Sequence, residues 1–149
     1  MADIFSQRKR SAVMAAIRSR GNQTTELRLI AVFRASSITG WRRGATLRGM
    51  GGGRRKNEKF RVKPDFVFRA RRVAVFVDGC FWHGCPRHYR RPGSRRAFWD
   101  AKIARNRQRD REVTRALRRA GWKVLRVWEH ELARGNAGRL RRRLAALAD

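Results

Sequence analysis

The chain has 149 residues, enough for one compact domain with a sizeable core, and 42% of them are hydrophobic, which excludes an intrinsically disordered chain. Lysine and arginine total 39 against 11 aspartates and glutamates, a formal net charge of +28. Such a chain repels itself when compact and calls for a polyanionic partner, nucleic acid first, because phosphate neutralisation releases counterions. A bias towards arginine codons would account for arginine over lysine but not for the shortage of acids. An anionic membrane fits less well, since no stretch joins a basic face to a wide apolar one. No apolar run approaches membrane-spanning length, and the N-terminus lacks the apolar core of a signal sequence. The chain reads as a cytoplasmic protein whose two cysteines are not a disulfide framework.

In chain order, Val13, Met14 and Ile17 recur at helical spacing within residues 11–20, which suits a short helix or arm ended by Gly21. The run Asn22-Gln23-Thr24-Thr25-Glu26 predicts a helix start, with a threonine cap and a carboxylate in the first turn, where the helix dipole favours it. Leu27, Ile30, Ala31 and Phe33 continue this helix as an apolar face to about Ser36. Residues 49–57 are glycine-rich and basic, lack the Gly-Lys-Ser/Thr ending of a phosphate loop, and read as a mobile loop. Residues 65–68 and 73–77 predict two strands joined by a basic hairpin turn. Pro64 precedes the first, where its missing N–H does least harm, and the second is continuously apolar, as in a strand buried on both faces. Ser94 reads as the cap of a long helix to Ala120, stopped by Gly121. Residues 123–128 predict a third strand, and Leu140, Leu144 and Leu147 mark a basic C-terminal helix within residues 132–149. The sum is a single α/β (α+β) domain over residues 1–149, a central mixed sheet flanked by helices.

Gly79-Cys80-Phe81-Trp82-His83-Gly84-Cys85-Pro86-Arg87-His88 directly follows the second strand and holds both cysteines and two of the three histidines. Cys80, Cys85 and His88 have metal-ligand spacing, and His130 completes a tetrahedral zinc set if the strand of residues 123–128 ends beside this loop. The alternative is two free thiols and two surface histidines. His83 is then left over for acid–base work, since imidazole titrates near neutrality, although a lone loop histidine is more often inert. Trp99, Ile103, Asn106, Asp110, Val113 and Leu117 recur at spacings of four and three, one face of the long helix. Asp110 therefore lies on the inward stripe, where a carboxylate needs a partner: either an arginine pairs with it, or it faces a site and orients a histidine. Asp65 and Asp78 stand at the start of one strand and the end of the next, as oxygen donors fit for Mg²⁺, which would polarise a phosphate. Pro-Asp and Asp-Gly are also turn pairs, and Asp65 is the stronger candidate. Phe81, Trp82 and Trp99 are either core aromatics or, on so cationic a protein, wedges that unstack base steps.

These segments resemble the very short patch repair (Vsr) endonuclease family from about Arg10 to Glu131. The resemblance rests on Ser11-Ala12-Val13-Met14-Ala15-Ala16-Ile17-Arg18-Ser19-Arg20, Lys63-Pro64-Asp65, Val75-Phe76-Val77-Asp78-Gly79-Cys80-Phe81-Trp82-His83, Ala97-Phe98-Trp99, Asn106-Arg107-Gln108-Arg109-Asp110 and Gly121-Trp122-Lys123-Val124-Leu125-Arg126-Val127-Trp128-Glu129. It implies a restriction-endonuclease-like fold with a structural zinc, and Mg²⁺-dependent nicking of duplex DNA 5′ of the T in a T·G mismatch, the product of 5-methylcytosine deamination. Carried over by motif, it implies that Asp65 and the backbone carbonyl of Val77 bind Mg²⁺, that His83 is the general base, and that Asp110 orients it. Glu26 would link to metal-bound water, and Phe81, Trp82 and Trp99 would form the mismatch wedge. Residues 1–21 would be an arm clasping DNA through Met14, Arg18 and Arg20, and Asn106 would join the DNA-binding set. The chain departs from the better-known members in a less histidine-rich zinc loop and in His130 where a cysteine is common. Asp78 stands where other members carry histidine, and residues 49–57 are an insertion. The expected partners are T·G-mismatched duplex DNA and mismatch-repair proteins, with the protein itself monomeric. Two rival readings are a restriction-type nuclease with another target and a non-catalytic zinc DNA-binding module.

Overall fold

The computed structural model describes residues 25–51 and 58–148, together with Arg8. Met14, Arg18 and Arg20 of the expected arm, and residues 52–57 of the insertion, lie outside the described residues. In chain order the elements are α1 (Glu26–Ala35), β1 (Trp41–Arg43), β2 (Leu47–Gly51), β3 (Glu58–Val62), β4 (Phe66–Phe68), β5 (Val73–Asp78), α2 (Arg96–Arg119), β6 (Lys123–Trp128) and α3 (Ala137–Leu144). One sheet has the order β1-β4-β5-β6, and β2 and β3 form a separate hairpin. β4 runs antiparallel to β1 and β5, whereas β6 runs parallel to β5, so the sheet is mixed as expected.

Side chains alternate across this sheet, and each face collects its own core. Phe66, Phe68, Val73, Val75 and Val127 point to one face and pack against Leu29, Ile30 and Phe33 of α1 and Leu140 and Leu144 of α3. Val67 and Ala74 point to the other, where Leu47 of the hairpin and Leu117 of α2 cover them, with Phe60, Val62 and Val113 alongside. Phe33 sits at the centre of the first core, edge-on to Phe66 and Phe68 at ring-centroid distances of 5.3 and 5.6 Å.

Three local expectations change. The buried stripe of α1 is Glu26, Leu29, Ile30 and Phe33, whereas Leu27 is 38% exposed and Ala31 faces solvent. A carboxylate on the stripe disguised its phase. Thr25 occupies the cap position of α1 without a side-chain cap bond. The cap of α2 is Arg95, in the left-handed region at φ 50°, rather than Ser94. Finally, the stretch read as a loop from Gly49 begins as strand: Gly49, Met50 and Gly51 pair with Phe60, Lys59 and Glu58. Glycine weakens a strand unless a neighbour packs where its side chain would be. Here a Cβ on Gly49 would lie 2.7 Å from the Phe60 ring, so the ring takes that space.

Truncating Phe33 to alanine should lower unfolding stability by about 3–5 kcal/mol, because the emptied centre is walled by strands that cannot collapse into it. Urea denaturation followed by tryptophan fluorescence measures this.

Candidate active site and metal centre

β5 and β6 end side by side, with Asp78 opposite Trp128 in the parallel ladder. The loop after β5 is closed by backbone bonds from His83 N–H to the Gly79 carbonyl and from Cys85 N–H to the Cys80 carbonyl. Helix α2 lies over it and grips it at three points along one face. Asn106 donates to the Trp82 carbonyl at 2.8 Å, Arg107 donates to the Gly84 carbonyl, and Asp110 Oδ2 lies 2.6 Å from His83 Nδ1. Gly84 has φ +61° and would place any Cβ within 2.5 Å of the Arg107 guanidinium, so this position requires glycine. Asp110 meets partners of both kinds: His83 Nδ1 lies 2.6 Å from one carboxylate oxygen, and Arg126 stands 3.5 Å from the other.

The electrostatics of this group are coupled. Burial pushes the Asp110 carboxyl up, but the hydrogen bond and charge of His83 and the nearby arginines outweigh it and leave its pKa below the usual value. Burial pulls the His83 imidazole down, while Asp110 and Asp78 pull it up, for a net rise above its usual value. An ionised Asp110 accepts only, so the proton shared with it sits on Nδ1, and Nε2 of a neutral His83 keeps a free lone pair. Asp78 is buried, and both its oxygens accept from Arg126 Nη1 at 2.7 and 2.8 Å. Burial nonetheless raises its pKa, with Arg126 opposing.

Asp65 is different. Its Oδ2 accepts the Val77 N–H at 2.7 Å, beyond the point where the β4–β5 ladder stops at Phe66 and Val75. Among the described residues no cationic side chain forms an ion pair with it. Burial drives its pKa up to about 6, and the charges of Glu26 and Asp78 add to the rise. Glu26 is buried at the start of α1 and paired with Arg43. Asp65, Val77, Asp78, His83 and Asp110 line one cleft of about 460 Å³ with Arg61, Lys63, Arg109 and Arg126. Because the N–H and C=O of one residue in an extended strand point to the same side, the Val77 carbonyl faces the Asp65 side. Oxygen donors without a cationic partner fit a hard divalent ion.

The second cluster lies at the other end of the same loop. Cys80, Cys85, His88 and His130 bring one ligand atom each to within 4.8 Å of one another. Cys80 Sγ and Cys85 Sγ lie 3.4 and 3.6 Å from His130 Nδ1, and Cys85 Sγ lies 3.7 Å from His88 Nδ1. Tetrahedral bonds to sulfur and nitrogen ligands imply edges of about 3.5 Å, so the four residues fit a zinc-sized ion. Burial pushes the Cys80 thiol up to about 11, a penalty on the thiolate that a bound dication would remove. His130 is delivered by the turn that follows β6, and Glu129 beside it accepts the Cys80 N–H at 3.1 Å.

The aromatics form one cluster over the start of α2. Phe81 contacts Trp82 at 5.2 Å and Trp99 at 5.3 Å, ring centre to ring centre. Phe81 and Trp82 are partly exposed, whereas Trp99 is buried and supports them from beneath. Phe98, 43% exposed and stacked by Arg95, is the protruding member that sequence reasoning did not select. Arg126 was also missed. Its signal was a cation at the inward-facing position of an apolar strand, which asks for buried acids opposite.

Carboxylates at strand ends, an aspartate-held histidine and arginines around one open cleft are the site class of nucleases. The chain belongs to the DNA mismatch endonuclease Vsr family, whose model matches residues 2–89. It is 34% identical over 130 residues to the DNA mismatch endonuclease Vsr of Escherichia coli K12, covering 87% of this chain and 74% of that protein. It is 57% identical over 77 residues to the type II nicking enzyme V.NaeI of Lentzea aerocolonigenes, and 50% identical over 74 residues to the type II nicking enzyme V.NmeDIP of Neisseria meningitidis serogroup C. The first match covers 52% of this chain and 46% of the relative, and the second 48% and 50%, so the chain spans about half the length of these two relatives.

The raised pKa of Asp65 has a sign that can be measured. Its folded value of about 6 lies above the ordinary 3.8, so the ionised carboxylate costs stability. The cost is absent below the ordinary value and complete above the folded one. Asp65→Asn keeps an acceptor for the Val77 N–H and removes the charge. In Mg²⁺-free buffer it should stabilise by roughly 2 kcal/mol at pH 7.5, a melting-temperature gain of roughly 5 °C, and by much less at pH 4. Equal gains at both pH values would show that no buried charge had been removed.

Proposed function

We propose that the protein is a Mg²⁺-dependent endonuclease that nicks one strand of duplex DNA 5′ of the T in a T·G mismatch. The observation that carries this reading is His83, held at 2.6 Å by Asp110 and facing the same cleft as Asp65. Asp110 fixes the imidazole so that Nε2 accepts the proton of an attacking water, and the ionised carboxylate stabilises the imidazolium that results. Arg61, Lys63 and Arg109, which line the cleft, bind the phosphate and offset the charge that develops on it. Asp65 and the Val77 carbonyl would hold Mg²⁺, with Glu26 reaching it through water. When bound, that ion supplies Lewis-acid polarisation of the phosphate and acidifies a bound water.

Cys80, Cys85, His88 and His130 would hold a structural zinc that ties the loop after β5 to the turn after β6. Phe81 and Trp82, carried on that loop and backed by Trp99, would enter the base stack at the mismatch. Asn106 already donates to the Trp82 carbonyl, so its part in DNA binding is to hold this loop. The T·G preference follows from the family resemblance, and it is supported by Phe81 and Trp82 lying on the same short loop as His83. Chromosomal DNA as substrate implies a cytoplasmic protein, and the other proposed partners are mismatch-repair proteins.

A labelled duplex with a single T·G pair, compared with T·A and C·G duplexes, tests the reading. Nicking should require added Mg²⁺ and should prefer T·G. Asp65→Ala and His83→Ala should each lower kcat about 10³-fold, and Asp110→Asn about 10²-fold. Equal nicking of all three duplexes would replace the mismatch reading with a restriction-type target, and full activity in Asp65→Ala would end the mechanism.

Cys85→Ser separates the two metal sites. It should abolish bound zinc by elemental analysis and lower the melting temperature by roughly 10 °C or more, since structural zinc contributes folding energy directly. His83→Ala should leave both unchanged.

A further inference from the structure

The hairpin of β2 and β3 presents two unlike faces. Leu47, Phe60 and Val62 point inward and cover the sheet beside α2. Arg48 and Met50 on β2, and Lys59 and Arg61 on β3, point outward. Arg48 stands directly opposite Arg61 in the ladder, and Met50 opposite Lys59. Like charges facing each other across a strand pair destabilise it, so nothing in the fold itself accounts for the Arg48 and Arg61 pair. Met50, the apolar member of this outward face, is 51% exposed.

From this arrangement we infer that the β2–β3 hairpin is a DNA-contacting ribbon that lies in a groove of the duplex next to the cleavage point. A two-stranded ribbon has the width that the major groove admits. Its cations match the phosphates on the groove walls, and Met50 offers an apolar contact to base edges such as the thymine methyl. The ribbon is continuous with the candidate active site, because Arg61 and Lys63 line the cleft that holds Asp65, His83 and Asp110. Gly49 keeps the ribbon in register by seating the Phe60 ring, so the outward pairs stay opposed. The inference rests on the proposal that duplex DNA is the substrate, and it adds how the duplex is held outside the reacting nucleotides.

The test is the double variant Arg48→Ala/Lys59→Ala, with Arg141→Ala/Arg142→Ala, exposed on α3 at the opposite face of the sheet, as a charge-matched control. Fluorescence anisotropy with a mismatched duplex over a salt series gives Kd and its salt dependence. Each lost phosphate contact lowers the slope of log Kd against log salt by about 0.9, so the ribbon variant should lose about 2 units of slope and bind about tenfold more weakly at moderate salt. The control pair should change the slope much less. Arg48→Ala alone should leave the melting temperature unchanged or higher, because it relieves the opposition to Arg61. Wild-type Kd and slope in the ribbon variant would overturn the inference and turn that face towards another partner. Equal losses in both pairs would also overturn it, because net charge alone would then account for the effect. If the wild-type protein binds the duplex without nicking it, the nicking proposal fails alone, and the ribbon still stands or falls on Kd and slope.

Discussion

The parallel pairing of β5 with β6 is the constraint on which the site depends. Two parallel strands cannot be joined by a tight turn, so the chain must cross over, and it does so through the long helix α2. That crossover lays α2 across the mouth of the sheet, where Asn106, Arg107 and Asp110 reach back to the loop that began the crossing. The same parallel register brings both strands to an end at one level, Asp78 beside Trp128. The loop with Cys80 and Cys85 and the turn with His130 therefore emerge together, and the four candidate metal ligands meet although 50 positions separate Cys80 from His130. An antiparallel β6 would have sent His130 to the opposite end of the sheet.

A chain with 39 basic residues and 11 acidic ones has few carboxylates to place, and it gathers Glu26, Asp65, Asp78 and Asp110 around one cleft. Three of the four have an arginine at hand: Arg43 for Glu26, and Arg126 for Asp78 and Asp110. Asp65 has only a backbone N–H among the described residues, and its pKa is driven up to about 6. In a protein this rich in arginine, a half-buried carboxylate without a paired cationic side chain is a candidate site for a cation that is not a side chain. The surrounding positive surface favours a polyanionic partner, and a metal held at the acidic centre would give its phosphates a local partner.

Much of this was legible in the sequence because the informative residues are chemically unlike their neighbours. Cys80, Cys85 and His88 stood out by spacing, and Asp110 by its place on an apolar stripe, which predicted a histidine or arginine partner; it has both. Strand positions were clear where the apolar run was continuous, as in β5. What was hidden depended on pairings that no local pattern encodes. Glu26 belongs to the buried stripe of α1, so a reading that expects only apolar residues there shifts the helix by one position. Gly49 looked like loop because its strand partner, the Phe60 ring, is distant in sequence. Arg126 gains its meaning only once Asp78 and Asp110, distant in sequence, are brought beside it.

Arg126 and Asp78 are best understood as one paired unit. The resemblance puts a histidine where Asp78 stands, and the charge of an additional carboxylate there adds to the rise in the Asp65 pKa. Arg126 Nη1 meets both Asp78 oxygens, while Nε bonds Thr114 and Nη2 bonds the Asp110 carbonyl, and the guanidinium lies 4.6 Å from the centre of the Phe76 ring. A guanidinium fixed on so many sides loses little freedom when it pairs, which favours arginine over lysine at this position. With both oxygens engaged, Asp78 acts on His83 through its charge, at 3.7 Å from Nδ1, rather than as a ready metal ligand. Asp65, which has no such partner, is left as the carboxylate open to a cation, and His83 keeps its own aspartate on α2.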